Sequence, residues 1–128
     1  LIRRFIDRQA EFIFVEPSEV AAVQQRENAK GFDAPGATYP HKDSRGRCSF
    51  EALVDEHCSS NPVLAELARM VRGADFAEET NLTEESAGIR TISLGFPLIT
   101  KDDLETVDKA AFLYDALYAS IQAKQSSK

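Results

Sequence analysis

The sequence predicts a mainly α-helical domain, about five helices with one or two short strands. Three features predict it. Apolar residues recur at intervals of three and four through most of the chain. Helix-opening residues stand ahead of those runs. One segment alone, residues 11–16, has the β-branched and aromatic density of a good strand. The 128 residues fit one domain, 1–128, and no internal repeat or low-complexity segment divides them.

Taken in order, Ile2, Phe5 and Ile6 are spaced as on a helix, so residues 1–8 read as a helical end. Residues 11–16 (EFIFVE) are apolar almost throughout and stop at Pro17, which predicts a strand covered on both faces. Pro17 suits a first helical turn, and Val20 and Val23 form the apolar edge of a helix reaching Asn28. Residues 30–40 (KGFDAPGATYP) cannot form a regular element, and 41–47 (HKDSRGR) continue the loop. Ser49 reads as the cap of a short helix ending near Cys58, with Phe50, Leu53 and Val54 inward.

Asn61-Pro62 is a cap followed by a first-turn proline. Leu64, Leu67, Ala68 and Val71 then share a face, and Gly73 is placed for the C-terminal turn. Residues 75–81 read as an acidic loop. Thr83 opens a helix to about Leu94, with Ile89 and Ile92 inward, and Gly95 and Pro97 end it. Residues 100–103 resemble a cap, after which Leu104, Val107, Ala111, Tyr114, Leu117, Tyr118 and Ile121 keep helical spacing. That apolar edge fits either the core or a homodimer interface. Residues 125–128 are polar and read as a frayed end.

Composition narrows the function. With 43% apolar residues the chain carries enough for a core, so disorder does not describe it. No apolar run approaches the ~20 residues of a membrane span, and no signal-peptide pattern opens the chain. It begins with Leu1, not Met, which reads as a trimmed front. The 15 Lys and Arg against 21 Asp and Glu leave a net charge of −6, which disfavours nucleic acid as a partner. Cys48 and Cys58 lie at the two ends of the predicted short helix, roughly 15 Å apart, too far for a disulfide. Two free thiols agree with a reducing, cytoplasmic compartment.

The chemistry concentrates in residues 41–51. Lys42, Arg45 and Arg47 put three cations into an acidic chain, directly before a predicted helix start. Guanidinium groups and the N–H groups of a helix N-terminus together suit an oxyanion, although a solvated basic loop has the same composition. Cys48 stands in the same field, either as a reactive or ligand-contacting thiol or as a small buried side chain. His41 with Glu51 and Asp75 has the donor types of a divalent metal site, but their spacing is not diagnostic, and an acid in a first turn such as Glu51 also meets the helix dipole. Glu78, Glu79, Glu84 and Glu85 read as a solvated acidic face. His57 receives no function.

Several stretches resemble, in order, the chromate resistance family, specifically the C-terminal domain of ChrB-type proteins. They are the opening LIRRFIDRQAEFIFVEPSEV, then GFDAPGATYPH with CSFEAL, NPVLAELARMVRGAD, EESAG with SLG, and the final DD with LYDALYA. The resemblance covers nearly the whole chain. It implies a role in resistance to chromate, as a domain often joined to another part in chromate-responsive regulators. The present chain holds no second domain that would bind DNA. Family members typically carry Cys-Pro-Trp just before the Leu-Ile-Arg-Arg segment; the sequence here starts at Leu1, so that cysteine falls ahead of it. Some relatives have His-Asp-x-Asp where this one has Arg72-Gly73-Ala74-Asp75, so Arg72 replaces a histidine and suits anion binding instead.

The resemblance singles out His41, Cys48, Glu51, Asp75 and Glu85, and implies that at least three share one cleft. The sequence-based assignment is therefore an oxyanion set of Arg45, Arg47 and Arg72, a metal set of His41, Glu51, Asp75 and Glu85, and Cys48 in contact with the ligand. Chromate or a similar small anion is the expected partner, with a divalent metal as the candidate cofactor. The alternative is a metal- or thiol-dependent enzyme, a hydrolase or a reductase. A self-sufficient reductase is disfavoured, because one accessible thiol supplies too few electrons for chromate and no Gly-rich dinucleotide fingerprint is present.

Overall fold

Where apolar periodicity coincides with a cap, this chain forms a helix. The computed structural model describes residues 1–127, and the fold is mainly helical. Its α-helices are α1 (Val20–Arg26), α2 (Ser49–His57), α3 (Pro62–Asp75), α4 (Ser86–Ile99) and α5 (Asp103–Ser126). Shorter turns occur at Ile2–Ile6, Pro17–Glu19 and Ala77–Glu79. The chain divides into two compact units, Leu1–Ser59 and Ser60–Lys128. Lys128, the end of the predicted frayed tail, lies outside the described residues. No described helix is long and apolar enough to cross a membrane.

In the first unit, Tyr39, Ala52 and Leu53 form a buried cluster against which Leu1, Ile2 and Ile6 pack. The predicted helical end is thus a single π-helical turn whose apolar side meets α2 and the loop before it. The long loop is tied down by Gln24 of α1. Its Oε1 accepts from the Gly31 N–H at 2.7 Å, the Thr38 N–H at 2.8 Å and the Thr38 hydroxyl at 2.7 Å. One side chain therefore sets the loop's path.

Two expectations for this unit need correction. Residues 11–16 form no strand, and the one bridge among the described residues is the isolated pair Phe32 and Tyr39. β-propensity describes how well a residue fits a pleated, packed surface and creates no partner. Here no strand pairs with the segment, and Ile13 and Phe14 stay 58% and 47% exposed. The helix cap is Cys48 and not Ser49. The Ser49 hydroxyl instead donates backwards to the Tyr39 and Pro40 carbonyls at 3.3 and 3.2 Å, holding the loop against the start of α2.

In the second unit α3 is the central helix, packed on both α4 and α5. Asn61 caps it as expected, its Oδ1 accepting from the Val63 and Leu64 N–H groups at 3.0 and 3.1 Å. Val63, Leu64, Leu67, Ala68, Met70, Val71 and Ala74 are buried along it. The Asn61 amide also donates to the Tyr118 hydroxyl at 3.3 Å, so α5 is keyed to the start of α3. Tyr118 and Ile121 are buried, which places that part of the α5 edge in the core. Leu104, at the start of the same edge, is 52% exposed.

Gly73 does not end α3, which continues to Asp75. A Cβ at this position would lie 2.6 Å from Ser86 Cβ and 3.0 Å from the Glu79 carbonyl oxygen, so the glycine serves close packing against the start of α4. Ser86 is fully buried there and donates to the Met70 carbonyl at 3.0 Å. Asp75 belongs to α3, and the acidic loop after it contains the Ala77–Glu79 turn. The fourth helix begins at Ser86, with Thr83 accepting from the Ser86 N–H at 3.2 Å ahead of it. It runs through Gly95 and Pro97 to Ile99, not ending near Leu94. Ile92, expected inward, is 47% exposed on it.

Candidate functional site

The basic loop of the first unit is built around Asp43. Its Oδ1 accepts from the Arg45 and Arg47 backbone N–H groups at 3.0 and 2.8 Å. Its own backbone exchanges bonds with Arg47 (3.0 Å) and Gly46 (2.9 Å). Gly46 closes the turn at φ +77°, where a side chain would be strained. Arg45 sits exposed on this fixed turn.

Arg47 is held between two acids. Its Nε donates to Asp43 Oδ2 at 2.8 Å, and its Nη1 donates to Asp55 Oδ2 of α2 at 3.1 Å. The Asp43 side chain is 16% exposed and that of Asp55 56%, so the two arms of the clamp differ sharply in solvation. Burial raises the Asp43 pKa, but the hydrogen bonds from Arg47 and Arg45 outweigh it and hold this carboxyl below its ordinary value.

Cys48 is fully buried as the cap of α2. Its N–H donates to Glu51 Oε1 at 3.1 Å, and its sulfur faces the Glu51 N–H, completing a capping box with sulfur in the usual place of a hydroxyl. Both Cys48 and Glu51 thus contribute to the helix start. His41 Nδ1 pairs with Asp33 at 2.9 Å on the surface, both side chains more than half exposed. Behind the loop, the buried Tyr39 hydroxyl donates to Glu56 Oε2 at 2.7 Å. Burial, followed by this bond and the Glu56 charge, pushes the phenol up to about 12.

The remaining predicted residues lie in the second unit. Arg72 makes a forked contact with Glu79, from Nε to both carboxylate oxygens at 3.3 and 3.2 Å and from Nη2 to Oε1 at 3.1 Å. Its guanidinium also sits 5.7 Å from the Phe76 ring centre. Asp75 is the exposed last residue of α3, and Glu85 directly precedes α4, half-buried. His41, Arg45, Arg47, Cys48 and Glu51 therefore fall together within the first unit, and Arg72, Asp75 and Glu85 within the second. Within neither unit do three described His, Cys, Asp or Glu side chains gather as a metal set.

Sequence reasoning found the arginines and missed the acids that answer them. Asp43 and Arg47 stand four residues apart, a spacing that signals a pair only if the segment bends back on itself. Asp55 and Glu79 carry no such signal, because their pairing depends on where the next helix or turn runs.

Residues 1–121 match the family model described as ChrB, C-terminal domain. Among curated proteins, Protein ChrB of Cupriavidus metallidurans is 31% identical over 119 residues, covering 92% of this chain and 34% of that protein. The chain thus spans about a third of the length of the curated relative it matches. No solved structure matches it.

Proposed function

Because this chain belongs to the ChrB C-terminal domain family, the chromate-resistance family its motifs resemble, we propose that it is a cytoplasmic domain that binds and senses chromate or a related oxyanion. The loop organised by Asp43 is the anion-facing element. One observation carries this reading: the turn is fixed by its own backbone, it presents Arg45 to solvent, and beside it Arg47 holds a solvent-exposed carboxylate that an anion can replace.

Chromate is a tetrahedral dianion and needs several directed donors. Arg45 and Lys42 supply charge at the loop. The Arg47 guanidinium supplies planar N–H donors once Asp55 yields. Displacing Asp55 exchanges one acceptor for another while Asp43 keeps its deeper bond, so the cost of opening is small. It also breaks the Arg47–Asp55 tie between the turn and the last turn of α2 while the Ser49 and Tyr39 bonds stay in place, a local change that a sensor can transmit. The net charge of −6 opposes the anion at long range, but at a Debye length of ~8 Å the local cations decide. An oxyanion fits this loop better than a metal, because Glu51 is committed to capping α2 and His41 to Asp33.

Isothermal titration with chromate and with sulfate tests the proposal on the natural sequence, an Arg45→Ala/Arg47→Ala double variant and Arg72→Ala. Each charge-assisted bond contributes about 1.5–3 kcal/mol, so the double variant should lose about tenfold or more in affinity. Unchanged affinity in the double variant with loss in Arg72→Ala would move the site to the second unit. No binding by the natural sequence would end the reading.

A further inference from the structure

The second unit carries a pocket that the anion chemistry above does not use. It lies between α3, α5 and the residue preceding α4, has a volume of about 220 Å³, and is lined by Glu66, Met70, Glu85, Ile121, Lys124 and Gln125. At about 30 Å³ per water, that volume equals roughly seven waters, which suits a ligand of fewer than about ten non-hydrogen atoms.

The walls are chemically divided. Met70 and Ile121 are buried and give an apolar floor. Glu66 is answered by Arg69 at 3.2 Å. Gln125 spends its amide N–H on the Pro62 carbonyl at 3.2 Å, so its own oxygen stays an acceptor. Glu85 and Lys124 remain as one negative and one positive wall. Oε2 of Glu85 is buried, and no donor among the described residues reaches it. Buried polar atoms are nearly always hydrogen-bonded, so an orphan acceptor in a pocket wall favours a ligand that brings a donor. A simple cation would meet Lys124 unfavourably and a simple anion would meet Glu85 unfavourably. A molecule carrying both charges on a short apolar body satisfies both walls and the floor.

We propose that this pocket binds a small zwitterion of the amino-acid class, its ammonium group donating to Glu85, its carboxylate meeting Lys124 and an aliphatic side chain lying on Met70 and Ile121. The proposal shares no residue with the oxyanion loop and does not rest on it.

Titration calorimetry with three matched probes tests this. L-Leucine carries both charges, 3-methylbutylammonium lacks the carboxylate, and 4-methylpentanoate lacks the ammonium. Leucine should bind saturably, and each truncated probe should bind about tenfold or more weakly. Glu85→Gln and Lys124→Met should each weaken leucine by a similar factor, with circular dichroism confirming that both variants keep the helical fold. Absence of saturable leucine binding up to about 10 mM overturns the proposal. So does equal binding of leucine and 3-methylbutylammonium, which would remove the carboxylate's role. The probe comparison uses the natural sequence, so it stands even if a variant fails to fold.

Discussion

The two arms of the Arg47 clamp should differ in strength, and double-mutant cycles measure the difference. The perturbations are Arg47→Ala, Asp43→Ala, Asp55→Ala and the two corresponding pairs. Hydrogen bonds donated to Asp55 first and Asp43 second hold the guanidinium above its ordinary pKa, which taken alone would make Asp55 the stronger partner. Solvation reverses that order for stability. The Arg47–Asp43 bond is 2.8 Å long between side chains 21% and 16% exposed, and bonds to charged groups in such places contribute about 1.5–3 kcal/mol. Asp43 keeps two backbone donors when Arg47 is truncated, which brings the expected coupling down to about 1–2 kcal/mol. Asp55 is 56% exposed, and pairs of that kind couple by about 0.2–1 kcal/mol. Urea unfolding followed by circular dichroism at low salt gives both values. Addition of sulfate should lower the Asp55 coupling further and leave that of Asp43 nearly unchanged. An Asp55 coupling equal to or above that of Asp43 would refute the reasoning, because the anion would then have no weak arm to displace.

Three further outcomes follow from the geometry. Gly73→Ala should destabilise the second unit by about 1–3 kcal/mol through overpacking against Ser86 and the Glu79 carbonyl, as thermal unfolding would register; a neutral effect would mean α4 moves aside freely. Asn61→Ala should cost about 0.5–2 kcal/mol in the same assay, since it removes the side-chain acceptor of two α3 N–H groups. Tyr39 should ionise near pH 12 in an absorbance titration at 295 nm, and Tyr39→Phe should remove that step. The folded phenol pKa is raised, so its contribution to stability is complete below about 10 and is lost as pH rises from there to about 12.

The helices of this fold were legible where a cap and a periodic face occur together. Asn61-Pro62 ahead of Leu64, Leu67, Ala68 and Val71 is the clearest case, and α3 starts where those residues place it. Punctuation by glycine and proline was less dependable, for two physical reasons. Gly73 sits in a helix because Ser86 and the Glu79 carbonyl leave no room for a Cβ, a cause that resides in the tertiary structure. Pro97 falls in the last turn of α4, where Ile99 ends the helix and the Thr100 N–H and hydroxyl both bond the Phe96 carbonyl at 3.0 and 2.8 Å. A proline so near an exposed helix end removes one backbone bond without forcing the chain out of the helix. Residues 11–16 failed as a strand for the opposite reason, a favourable local composition with no ladder to join.

The candidate site shows the same division between what a residue is and what it meets. Three basic residues close together in a chain with acid in excess marked an anion loop. The fold then sets an acid against two of the candidate arginines, Asp43 and Asp55 on Arg47 and Glu79 on Arg72. In an acidic protein this outcome is physically natural, since an isolated guanidinium attracts whichever carboxylate the folded chain brings within reach. Anion binding must then be an exchange, and its affinity depends on how weakly the resident carboxylate is held. Exposure ranks these partners. Asp43 is 16% exposed, Glu79 28% and Asp55 56%. The most solvated acid is the one an oxyanion replaces at least cost, and that acid is on α2, in the last turn of the helix whose start Cys48 and Glu51 cap.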